Sequence, residues 1–127
     1  MNREGALKVV LVVVGLLFVA TAYPLLMFLW QPHQEEAALV MMLSVYVTLG
    51  VFVLLAARNP SAHRSLIAFT AWSSFAHAAV MVVQSFQMPS ERLHLLIGVA
   101  ALAVIGLALV LLAPLKPSMQ PASAVSA

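Results

Sequence analysis

The chain has 127 residues, 64% of them hydrophobic and only 8% charged, with a formal net charge of +2 and no cysteine. A water-soluble domain carries roughly a quarter charged residues, so this composition points to the bilayer as the solvent. The missing cysteines exclude disulfides, thiolate metal sites and cysteine nucleophiles, and so small a net charge gives no footing for nucleic-acid binding.

A membrane-crossing helix needs about 20 predominantly apolar residues. Four such windows follow in order, at residues 9–30, 37–57, 65–87 and 93–113. A spanning strand would need only about 9–11 residues of alternating polarity. These runs are longer and do not alternate. Inside lipid each backbone amide must be satisfied within its own segment, so the expected fold is all-α: a four-helix transmembrane bundle, up and down. Residues 1–113 form the single domain and 114–127 a flexible tail rich in Pro, Ser and Ala.

The first window follows a polar start, "MNREGALK". A basic start, an apolar core and the small residues Ala20, Thr21 and Ala22 also fit a cleaved secretory signal. The apolar run resumes through Leu25–Trp30 to spanning length, which favours a retained helix. Pro24 removes one backbone bond and frees the carbonyl of Ala20, so a kink is expected there, with Thr21 or a neighbouring helix satisfying the freed group. The first loop carries His33 near the interface. Glu35 and Glu36 fall where the amide dipoles of the second helix favour negative charge.

Asn59 and Pro60 stop the second helix, with Ser61 as an expected cap for the third. Ser90 would cap the fourth, with Glu91 in its first turn. Arg3, Lys8, Arg58, Arg64 and Lys116 fall on one side of the expected topology, against Arg92 alone on the other. Basic flanks stay in the cytoplasm, so both termini are expected there, in the plasma (inner) membrane of a bacterium.

The third window holds an unusual segment, "TAWSSFAHAAVMVVQ". With His77 set at 0° and about 100° per residue, Thr70 lies near +20°, Ser73 near −40°, Ser74 near +60° and Gln84 near −20°. These polar groups share one wedge, and Trp72, Phe75, Ala79, Val82 and Phe86 lie opposite, toward lipid. An imidazole at mid-membrane costs several kcal/mol without a partner, so the stripe should face other helices or a wet cavity. Thr21 and Tyr23 in the first helix, and Ser44, Tyr46 and Thr48 in the second, are candidate partners at similar depth. Ser44 and Thr48 share a face; Tyr46 points the other way, with Gly50. Gly98, Ala101, Ala103 and Gly106 suit close approach of the fourth helix.

Interhelical hydrogen bonding is the simplest duty for such a stripe. A proton or transport path through His77 is the alternative, although no second ionisable residue lies at that depth. His77 and Met81 could also offer an imidazole and a thioether to a soft metal, and a bis-histidine haem would need a second protomer. Neither pattern is complete, so no metal or cofactor is expected, and scattered methionines are ordinary packing residues. No glycine-rich phosphate loop, nucleophile motif or zinc motif is present. The expected role is therefore non-enzymatic: a packing or accessory subunit that meets lipid, itself or a larger membrane protein.

The stretches "TAYPLLMFLW", "LLAARNPSAHRSLIAFTAWSS" and "HAAVMVVQ" together resemble small bacterial integral membrane proteins known only as a domain of unknown function. The resemblance covers nearly everything before the tail and implies no activity. Small multidrug-resistance exporters are four-helix proteins of similar length, but they carry a buried glutamate in the first helix. Residues 9–30 contain no acid, and this speaks against that match.

Overall fold

The computed structural model describes residues 2–30 and 37–114. These are helical almost throughout, with no strand: α1 (Arg3–Ala20), α2 (Ala22–Trp30), α3 (Ala37–Ala56), α4 (Arg64–Gln87) and α5 (Arg92–Leu112). α1 and α2 together make one span, so four helical stretches are long and apolar enough to cross a membrane. The expectations for His33, Glu35, Glu36, Lys116 and the tail beyond Pro114 lie outside the described residues.

The first helix starts well before its apolar window. The Asn2 side chain accepts a hydrogen bond from the Gly5 amide at 2.6 Å, and Glu4 sits in the first turn. A cap and a favourable dipole contact carry the helix through the polar start. Leu7, Leu11, Val14 and Phe18 then recur at helical spacing and are buried. The helix breaks at Thr21, where Pro24 lacks the amide needed to bond Ala20. The Thr21 hydroxyl donates to the carbonyl of Phe18 at 2.5 Å rather than to that of Ala20.

Two caps differ from expectation. A short 3-10 turn, Pro60–His63, precedes α4, and the helix start at His63 has no side-chain cap. Ser61 lies inside that turn. Another turn, Pro89–Glu91, absorbs Ser90, and α5 also begins without a side-chain cap. Proline fixes φ at the first position of each turn and makes the tighter winding easy to start.

The helices pair as two hairpins. α1 and α2 lie along α3, and α4 lies along α5. A thinner seam joins the pairs through α1 with α5 and α3 with α4. α1 and α3 cross backbone to backbone at Gly15 and Gly50. A β-carbon on Gly50 would come within 2.8 Å of the Val19 nitrogen and 2.9 Å of the Gly15 oxygen. No larger residue fits there. α5 approaches α4 closely at Gly106, where the ring of Phe75 occupies the space a side chain would take.

At one end of the bundle, arginines from two elements close off α5. Arg3 donates to the Ala113 carbonyl at 2.9 Å and Arg64 to that of Pro114 at 3.3 Å. Cations are favourable at a helix C-terminus. These contacts also place the start of α1, the start of α4 and the end of α5 at the same end, as an up-and-down order requires.

Candidate functional site

The buried face of α4 consists of Ile67, Thr70, Ala71, Ser74, Ala78 and Ser85. On an ideal helix most of these lie about 60–120° round from His77. The packing seam is thus centred to one side of the polar wedge, not on it. The reason is size. Alanine and serine let helices approach closely in a membrane, and α4 turns its small residues, not its most polar ones, toward its neighbours. Two expectations change as a result. Phe75 is half-buried against Gly106 instead of facing lipid. Gln84 is exposed at the wedge's outer end.

Most hydroxyls of the stripe return to their own helix. Thr70 donates to the Leu66 carbonyl at 2.8 Å, Ser74 to that of Thr70 at 2.7 Å and Ser73 to the same carbonyl at 3.2 Å. This backward bonding satisfies a hydroxyl in hydrocarbon without a second helix. Ser44 and Thr48 behave alike in α3, donating to Met41 and Ser44 carbonyls. They lie on a separate groove with Leu66 and Phe69, away from His77. Thr21 is held by Phe18, and Tyr23 is 72% exposed.

Tyr46 alone of the five candidate partners reaches the histidine. Its hydroxyl lies 2.5 Å from Nδ1 of His77. Among the described residues this is the one hydrogen bond between side chains of different helices. The Tyr46 ring also meets Phe18 edge to face, with centroids 5.0 Å apart, and His77 at 5.5 Å. Phe18, Tyr46 and His77 therefore link α1, α3 and α4. The link crosses the thin seam between the two hairpins.

Beside His77 lies a laterally open cavity of about 610 Å³. α3 lines it with Ala38, Leu39 and Met42, α4 with Ala76, His77, Val80, Met81 and Gln84, and α5 with His94 and Leu95. Met81, the expected partner of His77 in a soft-metal site, folds its thioether over Gly98 of α5. Among the described residues no group of three His, Cys, Asp or Glu side chains could hold a metal ion.

The model of a family of unknown function (DUF6632) matches residues 4–125. The chain belongs to that family. No curated protein and no solved structure matches it. The DUF6632 match takes in the four apolar spans but for Arg3, so the Tyr46–His77 pair and the cavity both lie within the family's own region.

Three residues of this region escape a sequence reading centred on the polar wedge. Ser85 is 2% exposed, donates to the Val82 carbonyl and offers its own carbonyl to Arg92 at 3.0 Å. It sits at about +80°, the middle of the true seam. His94 and Met42 line the cavity from other helices. His94 lies one helical turn before Gly98, on the same face, and that spacing was the available signal.

Proposed function

We propose that the protein is a non-enzymatic, multi-pass protein of the bacterial plasma membrane, serving as a packing or accessory subunit for itself or a larger membrane protein. The observation that carries this reading is how the polar groups of α4 are used. Thr70, Ser73 and Ser74 are consumed by their own helix, and Tyr46 holds His77 across the hairpin seam. These are structural duties. The remaining lateral surface is broad and apolar. Trp72, Phe86, Leu93, Leu111 and Met41 are all more than 60% exposed, as befits residues that meet lipid or another membrane helix.

Purification in mild detergent, followed by mass spectrometry of co-purifying chains, tests the reading. A reproducible stoichiometric membrane partner or a defined homo-oligomer is expected. A strictly monomeric protein with no partner in the native membrane would contradict it. The cavity beside His77 favours a second reading, a small proton-linked carrier. That reading requires a pH-dependent flux in proteoliposomes that His77→Gln abolishes while leaving stability nearly intact.

A further inference from the structure

The cavity above His77 combines features that packing alone does not call for. It sits at the end of the bundle opposite the Arg3–Arg64 cluster, between the start of α3, the end of α4 and the start of α5. Leu39 and Val80 on its rim are 38% and 57% exposed, so it opens sideways between helices. Its size falls within the range of about 300–1,000 Å³ typical of small-molecule sites. Ala38 and Ala76 keep it wide, and Met42 and Met81 give it adaptable walls.

Its polar groups are few and ordered by depth. His77 lies deepest. Gln84 is two helical turns away, about 10 Å nearer the end of the bundle, and His94 of α5 lines the same cavity. The Tyr46 hydroxyl engages Nδ1 of His77 and fixes the ring. Nε2 is left as the second hydrogen-bonding atom of a ring that borders the cavity, donor or acceptor according to the tautomer. Among the described residues, no Asp, Glu, Lys or Arg lines the cavity.

We infer that this cavity is a binding site for a neutral, lipid-soluble amphiphile. Its carbonyl or hydroxyl is hydrogen-bonded by His77 and its apolar body lies along Met42, Val80 and Met81. The molecule enters from the bilayer between α3 and α4. Tyr46 acts as a positioning residue that holds the imidazole ready. The site is independent of the partner-subunit reading: co-purification can fail while the cavity still binds.

The full-length protein in lipid nanodiscs is labelled with a long-chain alcohol carrying a photoreactive diazirine on its chain. Saturable labelling concentrated on peptides containing Met42, Val80 and Met81 is expected. Excess 1-dodecanol or 2-dodecanone should suppress it, and dodecane should not. Val80→Trp, which fills the mouth from an exposed position, should abolish the labelling. Val13→Trp, in the apolar groove between α1 and α5, should leave it unchanged. His77→Leu should weaken apparent affinity about fivefold, the worth of one hydrogen bond. Even labelling along all four spans, equal competition by dodecane, or labelling that survives Val80→Trp would overturn the site.

Discussion

Replacing His77 with leucine strands the Tyr46 hydroxyl in a half-buried, apolar setting, whereas glutamine can still meet it. His77→Leu should therefore lower stability in detergent by about 0.5–2 kcal/mol, and His77→Gln by clearly less. Equal stability of wild type and His77→Leu in a thermal melt would remove the structural role. Phe75→Leu should also be costly, at about 1 kcal/mol, because its ring fills the space over Gly106. A histidine in a long apolar run with hydroxyls at helical spacing marked this wedge as polar in the sequence, but the packing seam lies to one side of it. What periodicity leaves open is how each hydroxyl is satisfied. Thr70 and Ser74 close onto backbone carbonyls one turn back, a choice made by local rotamers and invisible in spacing. Tyr46 was one of several residues at the right depth. Only the rotation of α3, set by the Gly15–Gly50 crossing, selects it.

At the scale of the helices, the glycines separate two kinds of close contact. Gly50 faces backbone atoms of α1 that cannot yield, whereas a β-carbon on Gly98 would meet the terminal methyl of Met81, which can swing away. Gly50→Ala should destabilise the α1–α3 hairpin by about 1–3 kcal/mol through overpacking. Gly98→Ala should be nearly neutral, and comparable loss in both variants would show that the crossing is not backbone-limited. The first helix also supplies Leu7, Leu11, Val14 and Phe18 to the core. Mass spectrometry of the protein from membranes should accordingly find α1 retained; a chain starting at Tyr23 would show that α1 is a cleaved signal. Run length and hydropathy were enough to place the helices in the sequence. Their ends were less legible, because capping by Asn2 and the proline-led turns at Pro60 and Pro89 are local backbone events that hydropathy windows do not register.

At the scale of the whole molecule, four of the five described basic residues gather at one end, with Arg92 at the other. Arg3 and Arg64 hold the end of α5 there, and Lys8 and Arg58 are nearby in sequence. If this end is cytoplasmic, a reporter active only in the cytoplasm should work when inserted within residues 59–63 or fused after Lys116. It should fail within residues 31–34, and the opposite pattern would invert the topology. The two hairpins meet through a shared core, with Leu7, Leu11 and Val53 of one packed against Ile67, Ala71 and Leu109 of the other, and Phe18, Tyr46 and His77 add a polar clasp across the same seam. The most direct test of this clasp is a double-mutant cycle on Tyr46→Phe and His77→Leu, read as unfolding free energy in detergent or bicelles. A coupling of about 0.6–1.5 kcal/mol is expected, with the double variant little worse than His77→Leu alone. Losses that simply add, within about 0.3 kcal/mol, would contradict a clasp between the hairpins.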